Sequence, residues 1–117
     1  MTEVGTHKVF ENDLTIVWEL ELEPGEQLPL HTHYLDYFFY VISGSIIEVM
    51  DAEGHLTPSL NLKDKETLSL KVEGEHIIPV GIDVPQILAT HSARNAGEKR
   101  YREILIEFKR GNTPAEN

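Results

Sequence analysis

The stretch HTHYLDYFFYVISG, residues 31–44, decides the reading of this chain. Side chains alternate across a β-strand, so His31 and His33 aim at the same side of one. Tyr37 shares their parity, whereas Thr32, Tyr34 and Asp36 have the opposite one and are expected to point away. The run 37–42, YFFYVI, is apolar or aromatic on both faces. That pattern is expected of a strand covered on both sides, by a second sheet or by a partner subunit. Ser43, Gly44 and Ser45 then break it. Two imidazoles one residue apart at the mouth of a strand raise the question of a metal.

Working outward, LTIVWELEL at 14–22 alternates with period two. Leu14, Ile16, Trp18, Leu20 and Leu22 fall on one face, and Thr15, Glu19 and Glu21 on the other, so the segment reads as a strand. EPGE at 23–26 is turn chemistry. On the other side, IIEVM continues as a short strand, DAEGH turns, and LTPSLNL carries a proline that suits an edge or an irregular segment. TLSLKV alternates again. Residues 73–90, EGEHIIPVGIDVPQILAT, hold two glycines and two prolines and read as an irregular excursion with short extended pieces. HSARN and AGEK lead into a last strand, YREILIEF at 101–108. No dozen residues show helical periodicity between caps, and turn signals recur at the spacing of sandwiches and barrels. The expectation is an all-β chain, a small antiparallel β-barrel or jelly roll over residues 10–108. Residues 1–9 form an N-terminal extension and residues 109–117 a mobile tail.

Composition narrows the chemistry. The 117 residues suit one domain with its own core. There is no cysteine, so any metal must be held by nitrogen and oxygen. The N-terminus lacks a basic segment followed by an apolar run, and nowhere do 18 apolar residues succeed one another, which gives a soluble, cytoplasmic protein as the expectation. The net charge of −10 opposes nucleic-acid phosphates and anionic membranes. Neither is expected as a partner.

The motif spacing resembles that of the cupins, small jelly-roll barrels of the RmlC-like type. Their first signature is a glycine, five residues, His-x-His, three or four residues, a glutamate, six residues and a glycine. Gly25, His31, His33, Tyr37 and Gly44 reproduce the spacing, with tyrosine in the glutamate position. The second signature ends in His-x-x-x-Asn, which His91 and Asn95 supply, with Gly97 just beyond. Its upstream Pro-x-Gly-x-x-His portion is absent, since Pro85 precedes His91 without an intervening glycine. The resemblance covers residues 10–108, and short bacterial single-domain cupins are the nearest in wording.

The resemblance implies that His31, His33 and His91 are ligands of a divalent transition metal, and iron, manganese, zinc, nickel and copper all suit three imidazoles. Cupins usually add the glutamate. Without it the site keeps the full charge of its ion, which favours an anionic oxygen substrate. Tyr37, with an ordinary phenol pKa of about 10, stays neutral and would act as a hydrogen-bond donor or acid. Glu103 is a further candidate beside the metal, because the parity of YREILIEF leaves either face open to the interior. His7, His55 and His76 read as surface or loop residues, and Arg94 and Arg102 as parts of solvated faces.

Three functions follow as expectations. The first is a metal-dependent enzyme, an oxygenase, isomerase or lyase, acting on a small polar, carboxylate-bearing metabolite. The second is a non-catalytic small-molecule-binding or sensing cupin. The third is a dimeric accessory protein whose metal site has degenerated. A homodimer is expected under each, because sheet edges and the aromatic run need cover.

Overall fold

The structure is a computed structural model that describes residues 3–109, none of which is helical. Eleven strands follow one another: β1 (His7–Glu11), β2 (Thr15–Leu22), β3 (Gln27–Thr32), β4 (Tyr37–Ser43), β5 (Ser45–Met50), β6 (Leu60–Leu62), β7 (Thr67–Glu73), β8 (His76–Val80), β9 (Ile87–Leu88), β10 (Thr90–Asn95) and β11 (Tyr101–Phe108). They form two antiparallel sheets. One has seven strands in the order β1-β2-β11-β4-β7-β8-β9, and the other four in the order β3-β10-β5-β6. No described helix is long and apolar enough to cross a membrane.

Alternation decides which residues meet between the sheets. Trp18, Leu20 and Leu22 of β2, Phe39 and Val41 of β4, Leu68 and Leu70 of β7 and Leu105 of β11 are buried. They face Leu28, Ile47, Val49, Leu62 and Ala93 of the smaller sheet. Burying one such aliphatic or aromatic side chain is worth about 1.5–3 kcal/mol. Leu14, given the same face by its parity, lies one residue before β2 and is exposed. There the chain turns, and the Asn12 side chain accepts bonds from the amides of Leu14 and Thr15.

The turns carry out what their residues suggest. Glu26 N donates to Glu23 O at 2.8 Å, and Gly25 adopts a φ of 85°, as the third residue of a type II turn requires. Gly44 is the corner at which the chain leaves the larger sheet for the smaller. A β-carbon there would lie 2.1 Å from the Leu62 carbonyl oxygen, so no other residue fits that backbone. Asn95, fully buried, ties the far end together. Its amide donates to the carbonyls of Leu22 and Lys99, and its oxygen accepts from Ser45 Oγ and Gly97 N.

Three expectations change. The irregular excursion over residues 73–90 is mostly paired: β7 and β8 form a hairpin through Gly74 and Glu75, with a positive φ at Gly74 alone, the pattern of a type II′ turn. Pro79 is tolerated in β8 because β9 flanks only His76 and Ile77, so the proline faces an open edge. Apart from that two-residue turn and Ala89, the stretch 81–86 is what lacks strand structure. Within the expected extension, His7 onward is the edge strand β1, and Val4 is buried in the core. Of the expected tail, Lys109 is anchored, its amide donating to Leu14 O and its ammonium pairing with Glu11; residues 110–117 lie outside the described residues. The LTPSLNL segment follows its proline, since β6 is the edge of the smaller sheet.

The second apolar face of the 37–42 run is left open in the single chain. Phe38 pairs with Ile106 and Tyr40 with Ile104 across β4 and β11. With Ile42 and Phe108 they make an apolar stripe on the outside of the larger sheet, where Tyr40 is 40% exposed.

Candidate functional site

Three imidazoles converge where the two sheets meet. His31 and His91 are direct cross-strand partners on β3 and β10, and their ring centroids are 4.6 Å apart. His33 follows β3 by one residue, held by its own N–H to the Ala89 carbonyl at 2.9 Å, and its ring lies 5.0 Å from each of the other two. One potential ligand atom from each of the three falls within 4.8 Å of the others, and all three residues are buried. The structure thus joins two sequence-adjacent histidines to one sixty residues away.

The backbone orients these rings. His31 Nδ1 lies 2.8 Å from Pro29 O and His91 Nδ1 2.7 Å from Leu88 O. Carbonyls only accept, so each of these nitrogens carries the proton and each Nε2 keeps its lone pair. His33 Nδ1 is buried with no hydrogen-bond partner. Burial, reinforced by the mutual proximity of the rings, holds His33 well below the ordinary imidazole value, and burial first, then His31, pushes His91 down to about 4. Burial likewise lowers His31, against the opposing bond to Pro29. A neutral set of pinned imidazoles, one with an orphaned buried nitrogen, fits a divalent transition metal.

Tyr37 sits beside this cluster, by a route other than simple alternation. β3 ends at Thr32 and β4 begins at Tyr37, so the chain turns between them and enters the other sheet. The phenol ring then stacks on His33, with centroids 4.4 Å apart and planes 16° from parallel. Burial first, and then Glu103 and Glu107, raise its pKa, so the hydroxyl keeps its proton. Asp36 points away, as its parity requires, and accepts from Val72 N at 2.8 Å.

No carboxylate takes the missing glutamate's place. Among the described residues the buried metal-ligand group contains the three histidines alone; the other cluster, Asp51, Glu53 and His55, stands on a turn that its own hydrogen bonds hold together. Glu103 does face inward and lines the same cavity as the histidines, with Tyr37, Phe39 and Tyr101, but outside the ligand group. The cavity is small, about 80 Å³, and mostly aliphatic. Tyr101, which the sequence reading did not single out, donates its hydroxyl to Glu103. Its signal was the parity it shares with Glu103 and Leu105. Arg102 pairs with Glu19 and Glu21, and Arg94 with Glu48, none of them in the cavity. His7, His55 and His76 are exposed.

Burial raises the Glu103 carboxyl from 4.5 to about 7, against the opposing Tyr101 bond. A carboxyl raised on folding contributes stability that is complete below its unfolded value and lost as pH rises towards the folded one. The loss is on the order of 3 kcal/mol between about pH 4.5 and about pH 7. Glu103→Gln is expected to abolish that dependence, so that the variant gains in Tm over the wild type as pH rises. Thermal unfolding curves that shift in parallel across the range would refute it.

No protein-family model and no curated protein matches the chain. Solved structures do. A cupin domain from Bordetella pertussis Tohama I superposes with a TM-score of 0.64 at 18% identity, covering 93% of this chain and 98% of that one. An RmlC-like cupin with a double-stranded β-helix fold from Methanocaldococcus jannaschii gives 0.57 at 14% identity, over 87% and 76% of the two chains. A protein described as a sugar phosphate isomerase from a cupin superfamily, from Silicibacter pomeroyi, gives 0.50 at 18%, over 83% of this chain and 52% of that one. With two antiparallel sheets enclosing three inward histidines, the chain has the cupin fold, the double-stranded β-helix.

Proposed function

We propose that the chain is a metal-dependent cupin enzyme acting on a small polar, carboxylate-bearing metabolite. The observation that carries this reading is the buried cluster of His31, His33 and His91, with two Nδ1 atoms pinned to carbonyls and His33 Nδ1 without a partner. These three residues would hold the ion, which, when bound, supplies a Lewis acid able to polarise an oxygen of the ligand. Iron, manganese, zinc, nickel and copper all suit the donor set. Three neutral imidazoles leave the ion's charge uncompensated, which favours an anionic oxygen group. Tyr37, kept protonated by burial, donates a hydrogen bond to that group or serves as its acid. The aliphatic walls exclude water and limit the ligand's size.

Elemental analysis of the purified, untagged protein tests this reading. Near-stoichiometric iron, manganese, zinc, nickel or copper is the expected result. No bound metal, even after reconstitution under reducing conditions, would leave a metal-free binding barrel as the better account.

We also propose a homodimer formed through the apolar stripe on the larger sheet. A second copy fits it because a two-fold axis lays one such apolar stripe against its equal, covering the exposed Tyr40 and Ile42 of both copies. Sedimentation at micromolar concentration is expected to give a dimer for the wild type and a monomer for Tyr40→Glu. A monomeric wild type would refute it.

A further inference from the structure

One ionisable group in the cavity has no basic side chain beside it. Glu103 is buried between Leu20 of β2 and Val41 of β4, and its one hydrogen bond among the described residues comes from the Tyr101 hydroxyl. No lysine or arginine is among the residues lining the cavity. The neighbouring Arg102 has the opposite parity and is taken up by Glu19 and Glu21 outside. Aromatic rings belong to the same walls: Tyr37 and Phe39 from β4 and Tyr101 from β11. Phe39 pairs with Leu105 and Val41 with Glu103, so Phe39 and Glu103 are diagonal neighbours across the two strands.

An acid in an aromatic and aliphatic enclosure, without a basic side chain, is the complement of a small organic cation. Its carboxylate supplies the charge, the ring faces supply cation–π attraction, and the aliphatic walls accept an alkyl stem. We propose that Glu103, with Tyr101 as its positioning residue, forms a binding subsite for the protonated amine group of a small ligand. The cavity volume of about 80 Å³ confines that ligand to a few heavy atoms. The subsite belongs to the metal-free chain, because an uncompensated divalent ion at the histidines of the same cavity would repel the cation.

Proton and cation compete for Glu103, which gives the subsite a pH signature. The ionisable groups that face it are Tyr101 on its own strand and Tyr37 on β4; β2 presents Leu20 opposite it, and Glu107 further along is engaged by Trp18. The histidines lie in the same cavity and stay neutral. An alkylammonium ion, like a lysine side chain, keeps its proton to about pH 10, so its binding tightens as Glu103 ionises on going from about pH 6 to about pH 8.

The test is a nuclear magnetic resonance titration of the full chain with methylammonium, n-propylammonium and n-butylammonium chloride, with n-butanol as the uncharged control. Saturable binding of an alkylammonium ion, tighter at the higher pH and absent for butanol, is expected for the wild type freed of metal by a chelator. Glu103→Gln is expected to weaken it about tenfold or more, and Tyr101→Phe by less. Alcohol binding as well as amine, no saturation by any of the three cations, or an unchanged affinity in Glu103→Gln would each overturn the proposal. The comparison of amine with alcohol and the pH dependence need no variant. Because the titration uses metal-free protein and the elemental analysis uses the protein as purified, failure of the metal reading and failure of the amine subsite are read separately.

Discussion

Asn95→Ala is expected to destabilise the fold by on the order of 4 kcal/mol, lowering Tm by roughly 15 °C or more. The side chain is completely buried and satisfies four groups, of which the bonds to Leu22 O and Ser45 Oγ are themselves buried. Its Nδ2 donates to Leu22 O at 2.9 Å and Lys99 O at 2.7 Å, while Oδ1 accepts from Ser45 Oγ at 2.8 Å and Gly97 N at 3.0 Å. The backbone of the same residue bonds to Gly25 and Glu26, at the turn between β2 and β3. Truncation leaves Leu22 O and Ser45 Oγ unmatched in buried positions and Lys99 O and Gly97 N in part-buried ones, and each buried loss costs about 1–3 kcal/mol before relaxation. Asn95→Asp should be no better, because a carboxylate would face the two carbonyls that the amide now serves. Equilibrium denaturation measures both variants. A loss below about 1 kcal/mol for Asn95→Ala would mean that the network is not what joins this end of the barrel.

Alanine at His33 or His91 is expected to lower metal affinity on the order of a hundredfold or more, and Tyr37→Phe to leave it nearly intact. The imidazoles are the members of the buried ligand group, whereas the tyrosine stacks on one of them. Zinc binding followed by competition with a chelator measures all three variants. The pH profile has a definite sign. A ligand histidine must be deprotonated to bind, and burial lowers all three from the ordinary 6.5, His91 to about 4. Protons therefore begin to compete only well below that value, and the wild type should keep most of its affinity between about pH 7.5 and about pH 6. A tenfold loss over that interval, or metal held equally well by His33→Ala, would argue against the cluster as the ligand set. Loss of metal in Tyr37→Phe would instead place the phenol among the ligands.

What the sequence by itself determined is local. Alternation from Ile16 to Leu22 gave a strand and its inward residues, Leu14 excepted, and the run 37–42 gave a second strand, because a side chain's facing depends on its neighbours in the chain. The spacing of Gly25, His31, His33 and Gly44 identified the turns and the imidazole pair for the same reason. Tertiary structure alone decided what depends on partners far along the chain. The glycines and prolines of residues 73–90 suggested irregularity, yet β7 supplies a partner for β8, and the incomplete cover by β9 makes Pro79 harmless. The parity of 101–108 was two-valued until β2 and β4 paired on either side of β11, which turned Glu103 inward and Arg102 out. His91 was named through the His-x-x-x-Asn spacing of the second signature, but the register that sets it opposite His31 comes from the pairing of β3 with β10. Strand periodicity is a property of adjacent bonds, whereas register and burial arise from sheet pairing across dozens of residues.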